Sequence, residues 1–236
     1  MASLAMIRSR RIALAGLGLG LLSCVHLDAN PFQSDYVVDA DTGIEFPRRV
    51  YVPGQFKSGP LELVGLGVRT VSFIGIQVYS IGFYADLTSP TLKLTPSMSS
   101  DEKIEHIIRN SAVLLRLIPT RSTSYTHLRD AFMRALNARL QEAQKSGTLT
   151  QDDALAVAGP MRALKTLFPN TPLAKHASLD LYVPAPVLGQ PRPLIVRDLG
   201  SVVNNFVSTE LVLHYFTGNS PSPKLKKSTV ERLESV

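Results

Sequence analysis

One segment of the chain, residues 61–86, constrains the fold more than any other. It is a long apolar run rich in Val, Ile, Phe and Tyr, and Arg69 is the only charged residue between Glu62 and Asp86. Such β-branched and aromatic runs favour strands over helices. An arginine stays protonated, so burying it requires a counter-charge or several acceptors. The segment therefore predicts part of a sheet and, at Arg69, a candidate site for an anionic or electron-rich ligand.

The run divides into two predicted strands, at 61–68 and 71–84. Successive side chains of a strand alternate between its two faces. Gln77 and Tyr79 are therefore predicted to point the same way. A strand of this kind offers polar tips to a pocket.

The rest of the body is predicted to contain further strands and a set of helices. The strands lie at residues 49–52, 112–118, 179–183 and 194–196. The helices lie at 101–110, from Thr123 or Ser124 to about Gln144, at 151–168 with Pro160 as a kink or break, at 202–216 and at 223–233. Strands cluster early and helices late, without regular alternation. This order predicts an α+β domain, an antiparallel sheet with helices on one face.

Composition excludes several classes of function. The single Cys24 rules out a disulfide framework within the chain and a multi-cysteine metal site. Arg8, Arg10 and Arg11 carry half of the net charge of +6, and the body has no basic run interleaved with aromatic residues. A nucleic-acid partner is therefore not expected. No metal-binding histidine pair, nucleophile elbow or phosphate loop is present, which disfavours a hydrolase.

The first 27 residues are predicted to be a targeting segment or a short membrane anchor. They are basic, contain no acid, and become apolar over residues 12–25. A secretory signal and a mitochondrial presequence both fit this pattern, and a short inner-membrane anchor at 12–25 is a further alternative. Residues 28–45 are interpreted as a linker, and residues 46–236 as the folded domain.

Several motifs resemble those of the chalcone isomerase superfamily. They are GLGVR at 65–69, QVYSIGFYAD at 77–86, PTRSTSYTHLRDAF at 119–132, ALKTLFP at 163–169, and LGSVVNN and HYFTGNSPSPKL near the end. The segments RTVSFIGIQVY and THLRDAF look most like the fungal mitochondrial members. This resemblance implies an open-faced β-sandwich, in which a large antiparallel sheet and a layer of helices enclose a ligand cleft.

In that superfamily, true chalcone isomerases use an arginine to hold an oxyanion, and other members pair the same arginine with a fatty-acid carboxylate. The resemblance places the superfamily's arginine at Arg69. It places the other ligand contacts at Tyr79, Arg116, Tyr125 and near His214. Phe132 stands where the true isomerases have an asparagine. Since three polar contacts of the true isomerases are altered, the resemblance implies retained anion binding without chalcone cyclisation.

The resulting expectation is a mitochondrial protein, in the inner membrane or the intermembrane space, that binds a hydrophobic anion around Arg69. A fatty acid or a haem-like molecule fits this description, with His127 or His214 as a possible axial ligand of haem; no cofactor is certain and no metal is expected. One alternative is an intramolecular lyase that cyclises an unidentified enone or phenol through Arg69. A second alternative is a mitochondrial scaffold with a vestigial cleft, and the secretory route stays open as another location.

Overall fold

The computed structural model describes residues 35–52, 59–71 and 75–235, which contain eleven strands and five helices. The strands are β1 Tyr36–Val38, β2 Glu45–Pro47, β3 Arg49–Val50, β4 Leu61–Val71, β5 Ile76–Ala85, β6 Val113–Pro119, β7 Thr123–Ser124, β8 Pro172–Leu173, β9 Leu179–Val183, β10 Pro193–Val196 and β11 Gly200–Val203. The helices are α1 Ser100–Asn110, α2 Tyr125–Lys145, α3 Gln151–Leu167, α4 Asn205–Leu213 and α5 Pro223–Glu234.

Seven strands form one antiparallel sheet, in the order β11-β10-β9-β6-β5-β4-β3. One face of this sheet and side chains from all five helices share the main hydrophobic core. The apolar alternation of the central strands explains this packing, because Leu115 and Leu117 face the helices while Leu114 and Ile118 face away. The predicted α+β class, with a large antiparallel sheet and a layer of helices, is confirmed.

The helix starts follow from local capping. Ser99 caps α1 in a capping box with Glu102, and the side chain of Ser124 accepts the backbone N–H of His127 at the start of α2. The predicted helix at 202–216 begins later than expected, because residues up to Val203 pair in β11 and Asn204 caps α4. Its apolar sequence is compatible with either element, and the Asn204 side chain decides the boundary.

The linker predicted at 28–45 is wrong for its described part, residues 35–45. β1 pairs with β2, and the buried carboxylate of Asp39 accepts a hydrogen bond from Ser80 Oγ of β5 at 2.6 Å. The chain is therefore packed onto the sheet before residue 46. The predicted targeting segment and the anchor at 12–25 lie outside the described residues. Within the described part, no helix is both long enough and apolar enough to span a membrane.

Helix α5 lies directly on β4, in front of Arg69. A Cβ at Gly67 would lie 2.3 Å from the backbone nitrogen of Leu225, and one at Gly65 would lie 1.9 Å from Thr229 Oγ1. Ser222 Oγ also donates to the carbonyl of Val68 at 2.9 Å. The glycines of GLGVR are thus required for close helix–strand packing, which fixes the strand that carries Arg69.

Candidate functional site

A β-bulge determines which side chains of β5 stand beside Arg69. Arg69 is opposite Tyr79, but Thr70 is opposite Gln77, so Val78 is an extra residue in the ladder. An extra residue shifts the alternation of the strand. The prediction that Gln77 and Tyr79 point the same way is therefore wrong. Gln77 Nε2 donates to the carbonyl of Asp41 at 3.0 Å, whereas the Tyr79 ring joins the main core.

Two successive polar contacts link Arg69 to Tyr79 and Tyr79 to Tyr215. Arg69 is half-buried, and its Nη1 donates to Tyr79 Oη at 3.5 Å, with the guanidinium carbon 5.8 Å from the ring centroid. The two phenol oxygens lie 2.9 Å apart, and both rings are buried. These contacts connect Arg69 to the buried core.

The neighbouring groups are neutral near pH 7. Burial raises the pKa of Tyr215 well above its ordinary value, so its phenol keeps its proton. Burial, and then the positive charges of Arg139 and Arg69, lower the pKa of His214 to about 4. Of Arg69, Tyr215 and His214, only Arg69 therefore carries a charge near pH 7.

Either phenol can be the donor in the hydrogen bond between Tyr79 and Tyr215. The guanidinium of Arg69 can only donate, so the Tyr79 oxygen accepts from it. If Tyr79 also donated to Tyr215, the proton of the fully buried Tyr215 would have no described acceptor, and a buried unpaired donor costs about 1 to 3 kcal/mol. If Tyr215 donates to Tyr79 instead, the Tyr79 proton has no described acceptor, and a ligand in the cleft could supply one.

A cleft of about 600 Å³ opens beside these residues, between the end of β4, the start of β5 and the first turns of α2. Its apolar wall consists of Val71, Val78, Leu128, Ala131, Pro172 and the Tyr79 ring. Its polar groups are Arg69, Arg121, Arg134, His127, Ser122, Thr123 and Ser124. Three arginines and no described carboxylate line the cleft, so its chemistry suits an amphipathic anion.

The structure brings together only some of the residues predicted for the site. Arg69 and Tyr79 both line the cleft. Tyr125 is the first residue of α2, packs against the main core, and is not part of the described lining. His214 caps the end of α4 beside Tyr215, with ring centroids 5.7 Å apart, and is likewise not in the lining.

Arg116 is a correction to the predicted site, because it lies on the opposite face of the sheet. Its Nε and Nη2 donate to Asp180 at 2.8 and 2.7 Å, and Arg197 adds a third contact at 3.1 Å. Asp180 is only 1% exposed. Arg116 alternates with Leu115 and Leu117, which face the helices, so its own side chain must face away. Arg116 thus forms a structural ion pair with Asp180.

Tyr215 does not line the cleft, but its phenol contacts Tyr79, and the sequence did not predict this contact. The resemblance placed a contact near His214 in the motif HYFTGNSPSPKL, and Tyr215 is the next residue in that motif. The outer residues of the cleft were missed as well, although a signal existed. His127, Ala131 and Arg134 recur at spacings of four and three residues, which places them on one face of α2. Within the described residues, no cluster of His, Cys, Asp and Glu could hold a metal ion.

Comparison with known proteins identifies the family. The family described as "Chalcone isomerase like" matches residues 59–95 and 88–230. A solved structure, an Arabidopsis thaliana fatty-acid binding protein, superimposes with a TM-score of 0.62 at 19% identity, covering 85% of this chain and 98% of that chain. At this identity the superposition shows that the two chains share a fold.

Fungal relatives are similar over different lengths. An uncharacterized protein of Schizosaccharomyces pombe is 31% identical over 35% of this chain and 39% of its own length. Altered inheritance of mitochondria protein 18 of Debaryomyces hansenii is 24% identical over 71% of this chain and 64% of its own length. The protein of the same name in Saccharomyces cerevisiae is 23% identical over 87% and 74%, respectively.

The chain thus spans less than two thirds of the first two of these relatives, and the relatives named after mitochondrial inheritance are described as mitochondrial. The family match itself covers most of the folded part, including β4, β5 and the strands and helices that surround the cleft. This protein therefore belongs to the chalcone isomerase-like family.

Proposed function

We propose that this protein binds a hydrophobic anion, such as a fatty acid, in the cleft beside Arg69, and that it does so in mitochondria without chalcone isomerase activity. In this proposal the carboxylate accepts hydrogen bonds from Arg69 and from the Tyr79 hydroxyl. The apolar wall of the cleft takes the hydrocarbon part.

The observation that carries this proposal is the environment of the Arg69 guanidinium. It is half-buried, its described hydrogen-bond partner is the phenol of Tyr79, and the described lining of the cleft contains no carboxylate. A buried charge without a counter-charge is unfavourable. An anionic ligand would supply that counter-charge, and a charge-assisted bond from arginine to carboxylate is stronger than a neutral one.

The shape and lining of the cleft support a ligand with an apolar part. Its volume of about 600 Å³ lies within the range of roughly 300 to 1,000 Å³ that is common for small-molecule sites. Val71, Val78, Leu128 and Ala131 contribute apolar surface to the lining. The fatty-acid binding protein with the same fold and the mitochondrial names of the fungal relatives agree with this choice of ligand and location.

The surroundings of Arg69 argue against chalcone cyclisation. Phe132, which replaces a polar contact of the true isomerases, is buried and packs against Phe168 with ring centroids 5.8 Å apart. Arg116, which replaces another, is held by Asp180 on the other face of the sheet. We expect that a panel of chalcones and related enones reacts no faster with the protein than in buffer alone.

The binding test compares two single-charge variants. Native mass spectrometry and organic extraction of the purified protein identify any co-purified ligand, and a fluorescent fatty acid gives its Kd. Arg69→Gln should weaken binding tenfold or more, because a hydrogen bond to a charged group contributes about 1.5 to 3 kcal/mol. Arg162→Gln, at an exposed position of α3 outside the described lining, serves as the matched control and should change the Kd less than twofold.

Two outcomes would overturn the proposal as stated. One is a protein that is empty when purified and binds the probe equally well with and without Arg69. The other is a tetrapyrrole absorbance band with no bound fatty acid, which would reassign the cleft to a haem-like ligand.

A further inference from the structure

The outer part of the cleft carries cationic groups that a single carboxylate at Arg69 would not engage. Arg121 lies just before β7, and Arg134 lies three turns into α2, yet both line the same cleft as Arg69. Both are exposed, whereas Arg69 is half-buried. The cleft therefore has one half-buried positive charge, at Arg69, and two exposed positive charges, at Arg121 and Arg134.

Hydroxyl donors stand with these two arginines. Ser122 and Thr123 line the cleft next to Arg121, and no hydrogen bond of either side chain is made within the described residues. The neighbouring Ser124 is different, because its Oγ caps α2 by accepting the N–H of His127 at 3.1 Å. We define the rim as Arg121, Ser122, Thr123 and Arg134.

No acid among the described lining residues neutralises the rim. Neither Arg121 nor Arg134 makes an ion pair with another described residue. The charge of Arg134 does act on one nearby acid, Asp130. It is bound by Arg129 Nε at 2.8 Å, a hydrogen bond that is the main reason for its lowered pKa; Arg134 contributes less. The carboxylate of Asp130 is thus already paired on the outside of α2.

We propose that the rim binds a phosphate group, so that the preferred ligand of the cleft is an acyl compound with a phosphate in its head group. This inference rests on the proposed function, since the carbonyl or carboxylate of the same ligand occupies Arg69 and Tyr79. A phosphate offers more acceptor oxygens than a carboxylate does. Two guanidinium groups and two hydroxyls match that larger number of acceptors.

The test uses three ligands with the same chain: palmitate, 1-palmitoyl lysophosphatidate and 1-palmitoylglycerol, each measured by displacement of a fluorescent fatty acid below its micelle concentration. The natural sequence should bind lysophosphatidate at least tenfold more tightly than the uncharged glyceride. The double variant Arg121→Gln/Arg134→Gln should lower the affinity for lysophosphatidate about tenfold and the affinity for palmitate less than twofold. Lys93→Gln/Arg162→Gln removes the same charge from exposed positions outside the described lining and should change neither.

A second arm distinguishes a lipid head group from free phosphate. Inorganic phosphate is titrated into the palmitate-loaded protein by calorimetry, with and without the rim arginines. Binding that depends on Arg121 and Arg134 supports a phosphate site for the free anion, and tighter binding of lysophosphatidate than of palmitate supports the head group.

The rim inference and the proposed function can fail separately. Equal losses of lysophosphatidate affinity in the rim pair and the control pair, without phosphate binding, would overturn the rim while leaving palmitate on Arg69 intact. Failure of all three lipids to bind the natural sequence would overturn the proposed function. Phosphate calorimetry on the unloaded protein would then show separately whether Arg121 and Arg134 bind phosphate.

Discussion

Tyr79, which lines the cleft, and Tyr215, which contacts it, determine the hydrogen bonding beside Arg69. Both phenols are buried, and their oxygens are 2.9 Å apart. A phenol that accepts from Arg69 and from Tyr215 has its own proton left for a ligand. We therefore expect Tyr215 to act through Tyr79 as a positioning residue.

Replacement of Tyr215 by Phe tests this positioning. The change removes one buried hydrogen bond, so the free energy of unfolding in urea should fall by about 1 kcal/mol. The affinity for a fatty acid should fall about threefold, since losing a positioning bond of about 0.5 to 1.5 kcal/mol is only partly felt by the ligand. Tyr51→Phe, at a ring that is 72% exposed, should change neither quantity. An unchanged affinity in Tyr215→Phe would contradict a positioning role and leave only a packing role.

His214 makes stability depend on pH. Its pKa is about 4 in the folded protein, because of burial and the charges of Arg139 and Arg69, and 6.5 is its ordinary value. The unfolded chain therefore binds more protons between those two values, so stability falls as pH drops from about 6.5 toward 4. Urea unfolding at pH 7 and pH 5 should show His214→Gln losing less stability than the natural sequence, by about 1 kcal/mol or more. Parallel losses in the two proteins would contradict the lowered pKa.

Among the elements, the contact of α5 with β4 places the strongest steric demand on the sequence. Gly65 and Gly67 leave room for Thr229 and for the backbone of Leu225. Backbone atoms cannot rotate away as a side chain can, so the demand at Gly67 is the stricter one. The same helix holds the strand that carries Arg69 through the Ser222–Val68 hydrogen bond.

Gly67→Ala should destabilise the protein by about 2 kcal/mol or more, since overpacking of a dense interface typically costs about 1 to 3 kcal/mol. Gly159→Ala is the matched control, because a Cβ there meets nothing within 4 Å in helix α3. The control should gain about 0.5 to 1 kcal/mol from the better helix propensity of alanine. Thermal or urea unfolding of the two variants measures both effects. A neutral Gly67→Ala would show that α5 can shift on β4.

At the scale of the whole molecule, the sheet separates two roles. The face toward the helices carries Arg69 and the cleft, while the other face carries Arg116, Asp180 and the β1–β2 hairpin. Buried charge on that second face belongs to the stability of the fold. Arg192 has a similar role, since its guanidinium donates to the carbonyls of Ile108 and Ser111 at the end of α1 and to that of Pro184 just after β9.

Arg116→Met tests this separation. It leaves the buried Asp180 with Arg197 as its described ion-pair partner, and breaking a buried pair costs about 3 to 5 kcal/mol. We expect a large loss in the free energy of unfolding, measured in urea. The fatty-acid Kd of the protein that stays folded at low temperature should change less than twofold. A tenfold loss of affinity would return Arg116 to the ligand site.

Local patterns were sufficient for most of the secondary structure. The β-branched run predicted β4 and β5, and serine caps predicted the starts of α1 and α2. The linker prediction was wrong for residues 35–45 because their packing involves a distant contact, the hydrogen bond from Ser80 to Asp39. The polar composition of the segment does not indicate such a contact. The start of α4 was misread because an apolar sequence fits a buried strand and a buried helix equally well.

The sequence by itself determined the α+β class, the strand of Arg69 and the presence there of one charge without a local counter-charge, because periodicity and charge are properties of neighbouring residues. Only the tertiary structure decided which side chains share the cleft. A single extra residue at Val78 separates Gln77 from Tyr79, the parity of β6 turns Arg116 toward Asp180, and the end of α4 brings Tyr215 instead of His214 to Tyr79. Each of these depends on register between segments far apart in the chain, where a shift of one residue exchanges the two faces of a strand.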